Sequence, residues 1–216
     1  MKQLSSLRST AYLAHTKGLT LIEMLVVIAI VSVLGITIAK FQGDVFSFNR
    51  YFSTSFSSED SAQKLLRPMT AEVRSASPSD TGAYPIDSIG DYSFSFYSDI
   101  DDDGLKELVK YTITGTTMNK EVTKPTGSPL TYNSANKVTT VFMTGVRNLA
   151  DSIPMFTYYD STYTGSTGGV VSAGTGEVSA IRLIGIKIRI DPDINQPPSA
   201  IEVVTQVAIR NLKIQS

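Results

Sequence analysis

The chain has 216 residues, with 19 basic and 20 acidic side chains and a formal charge of −1 at pH 7. It has no cysteine, and its one histidine, His15, lies close to the start. Beyond residue 18 the composition therefore excludes thiol nucleophiles, Ser-His-Asp triads, disulfides, and zinc or copper sites built on cysteine or histidine. Beyond that point no run of lysines and arginines forms a basic patch, so nucleic-acid binding is not predicted. An enzyme is not expected.

The first predicted element is an apolar helix. Residues 19–39 include a single ionisable side chain, Glu23, and as a helix these 21 residues would be about 31 Å long, enough to span a bilayer. A carboxylate in such a segment costs on the order of 3 kcal/mol near the bilayer centre and less near an edge. Glu23 therefore needs a partner, and the best candidate is a new amino terminus made by a cut just before it.

The 18 residues before this helix form a basic leader. They carry Lys2, Arg8 and Lys17 and no acid, whereas Lys40 and Asp44 nearly cancel each other on the far side of the helix. The basic end should stay in the cytoplasm. We therefore expect a single-pass protein of the cytoplasmic (inner) membrane whose globular domain is periplasmic or extracellular. Loss of the leader would leave 16 basic and 20 acidic side chains, a formal charge of −4.

The junction of leader and helix carries a motif. The string Lys17-Gly18-Leu19-Thr20-Leu21-Ile22-Glu23 resembles the processing site of type IV prepilins and type II secretion pseudopilins. The resemblance implies that a prepilin peptidase cleaves after Gly18 and methylates the new N terminus, Leu19, where phenylalanine is usual. It also implies that Glu23 neutralises the N terminus of a neighbouring subunit during assembly. The implied partners are that peptidase, other minor pilins or pseudopilins, the major subunit, an inner-membrane assembly platform and the lipid bilayer.

Glu23 also has an interpretation that needs no neighbour. Thr20-Leu21-Ile22-Glu23 has the spacing of a capping box, in which the Glu23 carboxylate accepts a hydrogen bond from the backbone N–H of Thr20. The two interpretations are compatible, because one helix end can serve both purposes.

The helical period continues beyond the membrane segment, with apolar residues at spacings of three and four. They are Phe41, Val45, Phe48, Phe52, Phe56, Ala62, Leu66, Met69, Val73 and Ala76. The polar stretch 57–61 and Pro68, which removes one backbone hydrogen bond, predict a bend or kink. We therefore expect one long, interrupted helix from about Thr20 to Ala76, which packs on the globular domain beyond about residue 52.

After residue 80 the apolar period changes from 3.6 to 2, which predicts strands. The alternating or β-rich runs are 92–96, 109–113, 138–142, 155–159, 186–190 and 201–209. Ile181 and Leu183 have the opposite parity to Ile186, which predicts a bulge near Ile184 and Gly185. We therefore expect an α+β, pilin-like fold in which a long N-terminal helix, transmembrane in its first half, packs against an antiparallel β-rich globular domain. The expected domains are a leader (1–18), a transmembrane helix segment (19–39), a helical stem (40–77) and a β-rich globular domain (78–216).

Three further segments are similar to the J-type minor pseudopilin of type II secretion. They are Glu72-Val73-Arg74-Ser75-Ala76, Phe156-Thr157-Tyr158-Tyr159-Asp160 and Val207-Ala208-Ile209-Arg210-Asn211-Leu212. The other assignment left open is a different minor pilin. Either one implies a structural subunit at or near the tip of a type II secretion pseudopilus or a type IV pilus-like filament. Such a subunit acts in protein secretion, DNA uptake or adhesion by assembly and not by catalysis.

An acidic turn precedes the second predicted strand. Residues 99–107 read D-x-D-x-D-G-x-x-E, and oxygen ligands at these positions, with a glycine for the sharp turn, are what a calcium loop requires. The candidate ligands for Ca²⁺ are Asp99, Asp101, Asp103, Leu105 and Glu107. The twelfth position is Lys110 instead of the bidentate acid of an EF-hand, so the prediction is a calcium ion bound in a β-hairpin loop.

Three alternatives stay open. The acidic segment could be a solvated turn with Asp103 at its tip and no bound ion. The chain could be a non-polymerising, single-pass, calcium-binding adhesion or sensor domain, which would need neither cleavage after Gly18 nor Glu23. An enzyme could use only carboxylates, such as Asp99 and Glu107 as an acid–base pair.

Overall fold

The computed structural model of the protein describes residues 18, 20–166, 168–174, 177–191 and 200–212, and within its helix the side chains of residues 50, 53–62 and 65 are not described. The chain divides into two compact units, Met1–Asn49 and Arg50–Ser216. Helix α1 (Leu21–Arg74, 54 residues) begins in the first unit and ends in the second.

Helix α1 begins where a capping residue precedes the apolar run. Thr20 Oγ1 accepts a hydrogen bond from the backbone N–H of Glu23 at 3.3 Å, which satisfies one of the free donors of the first turn. The helix is continuous through both places where the sequence predicts a bend or kink, and it includes Pro68. Because a proline removes only one backbone hydrogen bond, the buried residues Leu66 and Met69 on either side of it can hold the helix together.

Two antiparallel sheets, with three short 3-10 helices (Ser134–Asn136, Val178–Ala180 and Arg210–Leu212), follow α1 in the described second unit. The first has the strand order β1-β2-β3-β4-β5 and the second has the order β7-β6-β8-β9. The strands are β1 (Ile86–Ile89), β2 (Ser93–Ser98), β3 (Glu107–Thr114), β4 (Thr117–Thr123), β5 (Lys137–Thr144), β6 (Phe156–Tyr159), β7 (Val170–Val171), β8 (Leu183–Ile190) and β9 (Ile201–Ala208). The predicted fold class, a long N-terminal apolar helix followed by an antiparallel β-rich domain, is confirmed.

The core of the second unit joins the last turns of α1 to both sheets. Met69 and Val73 on the helix are fully buried, in one apolar cluster with the inward-facing side chains of the strands. Phe94 on β2 lies at its centre, because its ring centroid is 5.2 Å from that of Phe96 on the same strand and 5.6 Å from that of Phe156 on β6. Aromatic contacts at these distances stabilise the pairing of the two sheets beyond the area they bury.

Polar contacts fix the end of α1 to its surroundings. The Tyr111 hydroxyl on β3 donates to Glu72 Oε2 at 2.7 Å, and the Lys120 ammonium on β4 donates to Glu72 Oε1 at 2.6 Å. The Asn211 side chain donates to the backbone carbonyl of Ala76 at 2.9 Å, just beyond the helix. Each contact satisfies a polar group that would otherwise be costly to desolvate beside the core.

The predicted bulge near Ile184 and Gly185 is wrong. Strand β8 pairs residue for residue with β6 and with β9 across this point. Ile181 is buried although its parity is opposite to that of Ile186, because it lies in the loop before β8 and is not part of the strand. Gly185 instead allows β8 to pack closely against β6, because a Cβ at this position would lie 2.4 Å from Thr157 Oγ1 on β6.

Candidate functional site

The processing junction is described only in part. Gly18 and Thr20 are exposed, whereas Leu19 and the leader up to residue 17 lie outside the described residues. Cleavage after Gly18, and methylation of Leu19, therefore stay predictions.

Glu23 is the third residue of α1 and its side chain is exposed. One half of the predicted capping box is present, since the Thr20 hydroxyl accepts from the Glu23 backbone N–H. Within the described part of the chain no hydrogen bond or ion pair reaches the Glu23 carboxylate, so the reciprocal bond to the Thr20 N–H is not formed. The carboxylate is therefore available to a partner outside this chain.

The first unit exposes its apolar side chains. Leu21–Asn49, 29 residues, is long and apolar enough to cross a membrane by length and composition, and none of it is buried inside the protein. Its large apolar residues from Leu21 to Phe48 are 46% to 83% exposed, whereas Leu66 near the end of the same helix is 5% exposed. A contiguous apolar surface of this extent is typical of a protein or membrane interaction site. Together with the motif at its start, the segment indicates membrane anchoring.

The predicted calcium loop connects β2 to β3. Its backbone turns at Asp102 and Gly104, which have φ values of 59° and 91°, and a glycine takes the second of these without strain. Asp99 Oδ2 accepts a hydrogen bond from the Gly104 N–H at 3.0 Å, and Asp103 Oδ1 accepts one from the Leu105 N–H at 2.9 Å. Two of the four aspartates therefore hold the loop in shape through its own backbone.

Three of the five predicted ligands come together. Asp99, Asp101 and Glu107 each present a carboxylate oxygen, and the three oxygens lie within 4.8 Å of one another. The Glu107 side chain is completely buried; its Oε2 accepts from the Ile100 N–H at 3.1 Å. Its Oε1, like Asp99 Oδ1, is buried and has no hydrogen-bond donor. Asp103 lies outside this group, and its second oxygen faces a lysine.

That lysine is Lys124, which immediately follows β4 and lies beside the acidic group. Its ammonium donates to the carboxylates of Asp101 and Asp103, to the latter at 3.1 Å, and lies 3.8 Å from Glu107 Oε1. Burial raises the pKa of Glu107, while the hydrogen bond from Leu105 and the nearby ammonium lower the pKa of Asp103. The hydrogen bond to Asp101 in turn raises the pKa of Lys124. The loop thus combines several carboxylates with one half-exposed cation.

Lys124 is the residue of this site that the sequence prediction omitted, although a signal for it exists. In the β3–β4 hairpin Thr114 pairs with Thr117 and Leu108 pairs with Thr123. One further step along an antiparallel ladder places Lys124 opposite Glu107. The turn at Gly115 would have fixed this register, had β4 been predicted.

The N-terminal segment has a match among known protein families. Residues 13–39 match the family described as the prokaryotic N-terminal methylation motif. No curated protein matches the chain. The matched residues include the junction at Gly18, the exposed Glu23 and most of the apolar segment described above, and the motif implies processing by a prepilin peptidase and assembly with pilins. The chain therefore carries the N-terminal methylation motif that is typical of type IV pilins and pseudopilins, which are structural and not enzymatic proteins.

Proposed function

We propose that this protein is a minor pilin or pseudopilin that is cut after Gly18, methylated at Leu19 and assembled through α1 at or near the tip of a filament. The filament is a type II secretion pseudopilus or a type IV pilus-like fibre that acts in protein secretion, with DNA uptake or adhesion as the other settings. The observation that carries the proposal is the exposed Glu23 carboxylate at the start of an uncovered apolar helix.

The electrostatics of Glu23 support assembly with a neighbour. A carboxylate in an apolar segment costs on the order of 3 kcal/mol near the bilayer centre, and no group of the described chain compensates it. An N-terminal ammonium in an adjacent subunit would do so, because an ion pair in a low-dielectric medium is much stronger than one in water. Trimming of the leader creates that ammonium at Leu19.

The helix beyond the membrane segment supports the same packing. Phe41, Phe46 and Phe48 are 67%, 71% and 64% exposed. These rings lie beyond the 21 residues of the predicted membrane span, so lipid alone would not cover all of them. Neighbouring α1 helices in a filament would bury them at roughly 25 cal/mol per Å² of apolar area removed from water.

The proposed orientation follows from charge. The basic leader stays in the cytoplasm until it is removed, so the second unit lies in the periplasm or outside the cell. The partners are then the prepilin peptidase, the inner-membrane assembly platform, the other minor subunits and the major subunit. The J-type assignment within this proposal rests on the resemblance of the helix end, the aromatic strand and the closing segment.

The test is site-directed cross-linking in the native host. The chain has no cysteine, so a single cysteine introduced at Phe46 or Phe48 reports unambiguously on what lies beside the helix. We expect cross-links to another pilin-like subunit carrying a matching cysteine. Glu23→Ala should insert in the membrane at least as well, because a charge is removed, and should cross-link poorly.

Thr20→Ala is the matched control for Glu23→Ala. It removes the side chain that caps α1, at a cost of about 1 kcal/mol, and leaves the carboxylate in place, so cross-linking should persist. Wild-type protein that forms no cross-link to any pilin subunit would favour the rival function, a non-polymerising membrane-anchored adhesion or sensor domain. Normal cross-linking of Glu23→Ala would reduce Glu23 to a residue without a role in assembly.

A further inference from the structure

The acidic loop carries an inference that is independent of filament assembly. We propose that Asp99, Asp101 and Glu107 form a Ca²⁺ site, and that Ca²⁺ competes for it with the Lys124 ammonium. The ligand class is a hard divalent cation, and the site lies at the base of the β2–β3 connection.

The first support is a buried oxygen atom that lacks a donor. Glu107 is completely buried and belongs to the group of carboxylates, and its Oε1 has no hydrogen bond. Asp99 Oδ1 is likewise buried and has no hydrogen-bond partner. Buried polar atoms in native proteins are almost always satisfied, and a bound cation would satisfy this one. The Lys124 ammonium, 3.8 Å from Glu107 Oε1, is too far away to donate a hydrogen bond.

The second support is size. The three carboxylate oxygens lie within 4.8 Å of one another. Two ligands on opposite sides of a calcium ion, each bound at about 2.4 Å, are about 4.8 Å apart, so separations below this value are compatible with a single ion between the three oxygens. Mg²⁺ binds its ligands at about 2.1 Å in a near-ideal octahedron and gives up its water reluctantly, so a site built from several protein carboxylates favours Ca²⁺.

The third support is charge. The group of three carboxylates has Lys124 beside it, and this lysine is shared with Asp103. The other nearby lysine, Lys106, is directed elsewhere, since its ammonium donates to the Gly104 carbonyl and lies 3.8 Å from Asp80. A divalent cation would balance the group better than the lysine does. Lys124 is 51% exposed, so its ammonium can move into solvent when Ca²⁺ arrives.

Competition between Ca²⁺ and the Lys124 ammonium predicts that removing the ammonium strengthens Ca²⁺ binding, whereas a simple acidic turn would bind no Ca²⁺ in either case. Replacing Lys124 by methionine removes the competing charge and keeps most of the side-chain volume. Lys124→Met should therefore bind Ca²⁺ about tenfold more tightly than the wild type, because a positive charge close to the site is lost. The matched control is Lys187→Met, which removes a lysine on β8 of the second sheet that pairs with Glu202 at 3.2 Å; its Ca²⁺ affinity should equal that of the wild type.

A second pair of variants tests the ligands. Asp101→Asn should lose most of the Ca²⁺ affinity. Asp102→Asn is its control, because Asp102 is exposed, is not among the three grouped carboxylates, and has a positive φ that asparagine tolerates. It should bind Ca²⁺ nearly as the wild type does.

The experiment uses the full chain in detergent, titrated with CaCl2 and, separately, with MgCl2, by calorimetry and by thermal melting. Ca²⁺ at about 100-fold above its Kd should raise the melting temperature by roughly 5–10 °C, and Mg²⁺ should have a much smaller effect. If neither the wild type nor Lys124→Met responds to millimolar Ca²⁺, the site does not exist and Lys124 is the permanent counter-ion. If Asp101→Asn retains the affinity, the ligand assignment is wrong. If Lys124→Met binds no more tightly than the wild type, there is no competition.

Discussion

The Tyr111 hydroxyl and the Glu72 carboxylate are 2.7 Å apart, and this contact fastens the last turns of α1 to the middle strand of the first sheet. Burial, followed by the proximity of Glu72, raises the pKa of Tyr111, so the phenol remains a hydrogen-bond donor throughout the ordinary pH range. Lys120 bonds to the other oxygen of the same carboxylate at 2.6 Å. The two bonds to Glu72 therefore add to the apolar packing of Met69 and Val73 in joining the end of α1 to the sheets.

The first prediction concerns this contact. Tyr111→Phe removes the hydroxyl and keeps the ring contacts, and Glu72 retains Lys120, so we expect a loss of about 1–2 kcal/mol in the free energy of unfolding. Circular dichroism during urea unfolding of the full chain in detergent measures it. Tyr159→Phe is the control, because its hydroxyl makes no hydrogen bond within the described residues, and it should be nearly neutral. Equal free energies of unfolding for the wild type and Tyr111→Phe would show that this hydrogen bond does not contribute to stability.

The second prediction concerns the pairing of β6 with β8. Gly185→Ala places a Cβ 2.4 Å from Thr157 Oγ1, so the strand pair must adjust, at about 1–3 kcal/mol. Adding Thr157→Ala should recover most of this loss, and the coupling is measured by a double-mutant cycle of unfolding free energies. Gly174→Ala has no atom within 4 Å of the new Cβ and serves as the control. Additive effects of the two changes would rule out the steric explanation.

The sequence predicted those parts of the fold in which apolar periodicity is strong. Val109, Tyr111 and Ile113 alternate with polar residues on β3, and all three are buried. Strand β4 was not predicted, because between Met118 and Val122 it carries Asn119, Lys120 and Glu121, whose polarity resembles that of a loop. Its role is visible only in the fold, where its backbone pairs with two neighbouring strands and Lys120 reaches the partly buried Glu72.

The candidate site was predicted as far as short-range spacing allows. The D-x-D-x-D-G-x-x-E pattern predicted that Asp99, Asp101 and Glu107 would lie close together, and the structure groups them. Local spacing could not show that Asp103 is directed toward the Leu105 N–H and Lys124, since the lysine comes from another strand pair. Similarly, the bond from Asn211 to Ala76 joins residues 135 positions apart, a separation that periodicity does not address.

The central claim, that the chain is a processed pilin-like subunit, is tested most directly by the intact mass of the protein from host membranes that contain the prepilin peptidase. We expect a mass corresponding to Leu19 through Ser216 with one added methyl group. Gly18→Val in the same host should keep the leader, since the junction is lost. A wild-type protein that retains Met1 and the full leader in that host would contradict the account.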